Sequence, residues 1–261
     1  MSGKYVIEER VIERAMATYP DIPEIVQSST PVVSFGYPND ARVITVGINP
    51  SSSEFQVAGK STKLLSVDKK RLVDTEVLRI KDPKSLTRDQ AIRVIEGCYS
   101  YFDSVNHYDW FDHMNSSMNS YFKADYYDGS AAHLDLVQWA TFPVWGGIES
   151  DETKDSLLEA DVEFLRYQVN MKKYDAIYLN GASVFEQLTS NGIINAIETD
   201  NIIHYKTKSG APRTLKCYQG ESLNGSLVLG CNKPFPGHYI SGEELPRVVL
   251  ELHQFFDQYT K

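Results

Sequence analysis

The sequence predicts an α/β fold: one domain with a central, mostly parallel four-stranded sheet flanked by helices. Short β-branched runs alternate with segments whose apolar residues recur at helical spacing. Four of those runs stop at loops of unusual composition, GINPSSS, ATFPVW, NGAS and CNKPFPGH. No Gly/Ser/Pro-rich linker or long charge block divides the 261 residues, and a 42% hydrophobic composition is enough for a single buried core.

The elements follow in order. Val6, Ile7, Val11, Ile12, Ala15 and Met16 predict a helix over 5–19. The β-branched run 43–46 ends at Gly47 and predicts a buried strand entering a tight loop. Residues 66–80 favour neither helix nor strand. The stretch LTRDQAIRVIEGCYSYF has helical periodicity and a Thr87 cap. An aromatic-rich insertion covers about 56–132, and its part from 99 to 127 has no readable period. In AAHLDLVQWATFPVW the LDLV core predicts the second strand, ended by Pro143. A helix over about 153–172 precedes a third strand, DAIYLNG, and another helix starts near Ala182. Residues 202–218 predict a hairpin around Lys208-Ser209-Gly210. SLVLGC is the fourth strand, and a helix from about Gly242 to Tyr259 closes the series.

Composition narrows the function classes. The N-terminal stretch MSGKYVIEERVIERAM is charged and amphipathic, and no run approaches the ~20 apolar residues of a membrane span. A soluble, cytoplasmic protein with no membrane partner is expected. Cys98, Cys217 and Cys231 are widely spaced and form no C-x-x-C pair, and His133, His204 and His238 have no ligand spacing. No metal or other cofactor is expected. A net charge of −9 argues against a general nucleic-acid coat but leaves room for a small local footprint of basic side chains and backbone N–H groups.

In doubly wound folds, ligands bind at the C-terminal ends of parallel strands. Gly47-Ile48-Asn49-Pro50-Ser51-Ser52-Ser53 is the most informative of the four loops. Glycine lets backbone approach a ligand, Pro50 stiffens the turn, and Asn49 with the three serines suits a water, a sugar or a phosphate. The loop lacks the G-K-[ST] ending of a P-loop.

GINPS resembles the first motif of the uracil-DNA glycosylase superfamily, and is closest to its mismatch-specific uracil and thymine branch. LDLVQWATFP, AIYLNGASVFEQL and CNKPFPGHYI resemble that branch's second strand, third strand and DNA-entering loop, in the same order. Two departures stand out. The loop reads Asn232-Lys233-Pro234-Phe235 where a Pro-Ser or His-Pro-Ser set is usual, and the 56–132 stretch is long.

The resemblance implies a monofunctional DNA glycosylase that flips out a modified or mismatched pyrimidine, hydrolyses its N-glycosidic bond and leaves an abasic site. Asn49 would position the attacking water. Gly47, Ile48, Pro50, Phe55, Asp135 and Asn180 would line the base pocket, with Ile48 N–H and His238 as candidate donors to the departing base. Ser51, Ser52, Ser53, Asn232, Lys233, Pro234, Phe235, Pro236, Gly237 and His238 would contact DNA, the last group as a wedge. DNA is the expected partner, with no obligate protein partner.

Asp135 stands where related enzymes place a base-contacting Asn. A carboxylate only accepts hydrogen bonds, so it suits the exocyclic amine of a cytosine derivative. A second reading is therefore removal of bulky modified cytosine, such as glucosylated hydroxymethylcytosine, from phage DNA in antiviral defence. A third is a noncatalytic nucleic-acid binder on the same fold. Structural readings stand beside these: an Asn-Pro turn at 49–50, pairing of Asp135 with a buried cation, Phe55 in the core, and packing roles for the aromatics of 99–145.

Overall fold

A computed structural model describes residues 4–18, 20–57, 63–80, 85–103, 109–234 and 240–260. In chain order the elements are α1 (Glu9–Met16), β1 (Val43–Gly47), α2 (Thr75–Leu78), α3 (Arg88–Tyr99), α4 (Trp110–Phe122), β2 (Ala131–Asp135), α5 (Asp151–Asn170), β3 (Ala176–Asn180), α6 (Ala182–Ser190), β4 (Ile194–Lys206), β5 (Pro212–Ser222), β6 (Leu227–Cys231) and α7 (Leu245–Asp257).

The α/β class holds, but the sheet differs from the expected one. It has six strands in the order β2-β1-β3-β6-β5-β4 and is mixed rather than a four-stranded, mostly parallel sheet. β1, β3 and β6 run parallel, while β5 and β4 are antiparallel. The extra strands come from the expected hairpin, which is longer than its turn chemistry signals. β4 is largely exposed, so its polar, charged residues show no continuous apolar run.

The chain forms two compact units. The first comprises Met1–Asp40, Ile48–Tyr108 and Ala132–Gln168. Here α1 buries Val11, Ile12 and Ala15 and packs against α3, which buries Ala91, Val94, Ile95, Cys98 and Tyr99. α3 starts with a full capping box: the Thr87 side chain accepts from Gln90 N–H while Gln90 accepts from Thr87 N–H at 2.9 Å.

The second unit comprises Ala41–Gly47, Asp109–Ala131 and Val169–Lys261. β1 and most of β3 are buried, as their apolar runs require. Gly230 of β6 allows a close approach, since a Cβ there would lie 2.7 Å from the Leu179 carbonyl oxygen. α4 and α7 pack together through Tyr121 and Phe256, whose ring centroids are 5.1 Å apart in an edge-on arrangement. Several aromatics of the 99–127 stretch are in the core, Tyr99 and Tyr101 in the first unit and Phe111, Tyr121 and Tyr126 in the second, while Tyr127 is exposed. Among the described residues no helix is long and apolar enough to cross a membrane.

Candidate active site

The first unit brings together the loop that opens at Ile48 and the chain that leaves β2. Val137 N–H donates to the Ile48 carbonyl at 2.8 Å, and Ser51 forms a bridge with Thr141. Asn49 is half-buried in this junction. Its Nδ2 donates to Thr141 Oγ1 at 2.9 Å and lies 3.3 Å from the Pro50 carbonyl and 3.5 Å from that of Trp139. Two of those three partners can only accept, and this fixes the amide's orientation: a flipped amide would set its oxygen against two carbonyls. Oδ1 makes no hydrogen bond among the described residues, so it is the acceptor the loop presents.

The serines keep the loop in shape. The Ser51 hydroxyl accepts from Ser53 N–H at 3.2 Å and caps a short 3-10 turn, Ser52–Glu54. Arg71 donates to the Ser53 carbonyl at 2.6 Å. Pro50 is buried, and Phe55, at 2% exposure, belongs to the core in this state.

Asp135 ends β2 and is also buried. Its carboxylate lies 3.3 Å from His133 Nε2, and its carbonyl accepts from the Gln138 side chain at 3.1 Å. The buried partner is thus the imidazole of the same strand, two residues away. The LDLV expectation, 134–137, is corrected towards the N-terminus. The strand is 131–135, and residues 136 and 137 belong to the connection that reaches Ile48.

Several participants escaped the sequence reading. Asp161 on α5 is fully buried, accepts from Gln138 N–H at 2.6 Å and forms an ion pair with the buried Arg14 of α1. Arg14 also sits over the Trp139 ring, 5.7 Å from its centroid. Burial pushes the Asp161 carboxyl above its ordinary value, and Arg14 and the Gln138 N–H pull it back. The pair thus fixes the backbone immediately before the Asn49 partners Trp139 and Thr141. Next to the loop, the Tyr101 hydroxyl donates to the buried Glu54 at 2.9 Å, and the Tyr101 ring meets Phe35 edge-on at 4.8 Å. Phe35 in turn exchanges backbone hydrogen bonds of 2.8 and 2.9 Å with His133. Phe142 and Val144, directly after Thr141, are exposed apolar side chains.

The remaining expected site residues lie in the second unit. The parallel registers bring Gly47, Asn180 and Asn232 to the C-terminal ends of β1, β3 and β6. Gly181, with φ of 114°, starts α6, and its N–H donates to the Cys231 carbonyl at 3.1 Å. Asn232 Oδ1 accepts from Lys216 N–H at 3.1 Å, while Lys233 and Pro234 are exposed. Phe235, Pro236, Gly237 and His238 lie outside the described residues.

The chain matches no family model and no curated protein. Its functional reading stands on this geometry and on the motif resemblance.

Proposed function

We propose that this protein is a monofunctional DNA glycosylase that flips a modified or mismatched pyrimidine from DNA and hydrolyses its N-glycosidic bond. The observation that carries the reading is the anchored Asn49 amide, whose donors are occupied and whose Oδ1 is left to accept. A water donating to Oδ1 is oriented for attack on the sugar C1′ as the bond to the base breaks. The bond's electron pair leaves with the base, the water oxygen joins C1′, and the water's proton balances the charge on the released base. The transition state is oxocarbenium-like, so orientation counts for more than full deprotonation. An amide is no general base, which forgoes about 10²–10⁴-fold in rate and makes slow turnover the expectation.

Asp135 favours one substrate class within this reading. Its acceptor-only carboxylate suits an amine on the flipped base, and hence a cytosine derivative, including the bulky modified cytosines of phage DNA. The test is formation of alkali-labile sites in duplexes carrying uracil, mismatched thymine or modified cytosine, with Asn49→Ala alongside. DNA binding without any such site would leave the noncatalytic reading in place.

A further inference from the structure

We infer that the β4–β5 ribbon is a clamp for the nucleic-acid sugar–phosphate backbone, adding phosphate contacts beyond the base-flipping site. The inference rests on the glycosylase reading for its choice of partner, but the ribbon's own chemistry supports it. The part of the ribbon nearest its turn, 201–220, carries Lys206, Lys208, Arg213 and Lys216 and no Asp or Glu, within a protein of net charge −9, while Glu198, Asp200 and Glu221 lie at the ribbon's other end. The positive charge is therefore concentrated towards the turn, as a local anion footprint requires.

Register decides where the cations point. Residues opposite each other across an antiparallel pair share a face, and faces alternate along each strand. Ile203 opposes Leu215, and both are buried, as is Tyr205. Ile202 opposes Lys216, His204 opposes Thr214 and Lys206 opposes Pro212, so these residues form the other face, while Arg213 opposes Tyr205 and lies on the first face at its exposed end next to the turn. Lys216 on that face is paired with Glu198 at 2.8 Å, whereas Lys206 on the same face, Lys208 in the turn, Arg213 beside the turn and Lys233 after β6 have no ion-pair partner among the described residues. Glu244, just before α7, and Glu251 within it are both held by Arg247.

A cavity of about 430 Å³ lies at this end of the ribbon, lined by His204, Pro212, Arg213, Thr214, Asn232 and Lys233, so Arg213 and Lys233 border the same opening. The tip is preorganised. Thr207 and Ala211 exchange hydrogen bonds, Gly210 N–H donates to the Thr207 carbonyl at 2.8 Å, and Lys208 projects from this closed turn. Near the tip the outer edge of β4 is already engaged. Arg247 holds the His204 carbonyl at 2.5 Å, and Ser241 N–H holds that of Lys206 at 3.0 Å. Near the turn, therefore, side chains rather than strand addition remain to bind a partner.

The experiment is a salt titration of fluorescein-labelled duplex DNA by fluorescence anisotropy, comparing the wild type with the combined variant Lys206→Ala, Lys208→Ala, Arg213→Ala. All three residues are exposed, so the variant's circular dichroism and melting should match the wild type. The expected result is a loss of at least ~10-fold in affinity at low salt and a slope of log K against log salt shallower by about 2–3, near 0.9 per lost phosphate contact. Equal affinity and slope in the two proteins would overturn the clamp. So would binding to phosphatidylserine vesicles with no binding to duplex, or binding to neither. A base-release assay on the wild type separates the two readings. Ribbon-dependent DNA binding without base release leaves the clamp standing and removes the glycosylase; base release with ribbon-independent binding does the reverse.

Discussion

Asn49 Nδ2 donates to Thr141 Oγ1 across 2.9 Å, tying the loop that follows β1 to the connection that follows β2. The bond makes a side chain 92 positions away responsible for the direction of the amide's free oxygen. Thr141 is fully buried, so no other role at the surface competes with this one.

Thr141→Val removes the hydroxyl while keeping the branched shape. The loss of one hydrogen bond that orients a reacting group, about 1–1.5 kcal/mol, corresponds to roughly 10-fold. The expected outcome is a drop of about that size in single-turnover excision with unchanged DNA affinity, and recovery in Thr141→Ser. Equal rates in all three proteins would mean that the amide's orientation does not limit the reaction.

Asp135→Asn exchanges an acceptor-only group for one that can also donate. Excision of cytosine derivatives should fall and excision of uracil or thymine should rise, read as a change in the ratio of kcat/KM between the two classes. An unchanged ratio would assign Asp135 to its His133 contact alone.

These two contacts also show what could be read in advance. β1 was legible because all five of its residues are buried and its run is continuous. The start of α3 was legible because Thr87 and Gln90 form a local box. α4 is not legible although Phe111, Met114, Met118 and Tyr121 keep helical spacing, because Asn and Ser between them have weak helix propensity. β2 begins before its apolar run because its buried face holds His133 and Asp135, polar residues that hydrophobic patterning discounts. Asn49 stood out in its loop. Thr141 and Asp161 did not, since their partners are brought close only by folding.

The Arg14–Asp161 pair is buried on both sides, and its loss leaves a charge without compensation. Asp161→Ala should cost about 3–5 kcal/mol in urea unfolding. Asp175→Ala breaks the exposed Arg42–Asp175 pair and should cost no more than about 1 kcal/mol. Similar midpoints for the two variants would contradict a structural role for the buried pair.

Burial pushes the Cys98 thiol from its ordinary 9.0 up to about 11. The folded protein therefore holds this proton more tightly than the unfolded chain. The stability it confers is complete below pH 9 and declines as pH rises through the window up to about 11, by about 1.4 kcal/mol per unit. Cys98→Ala should flatten that part of the alkaline limb relative to wild type. Parallel limbs would show that the thiol titrates equally in both states.

The central claim is that Asn49 orients a water at a glycosidic bond. The most direct measurement is single-turnover release of the free base, followed by mass spectrometry, from duplexes carrying uracil, mismatched thymine or modified cytosines. It should be made at protein concentrations that saturate binding for both wild type and Asn49→Ala. The expected result is slow release of one pyrimidine class by the wild type, with an abasic sugar left behind, and release at least ~100-fold slower by the variant at equal DNA affinity. Release at the same rate by both proteins, or by neither while both bind DNA, would contradict it.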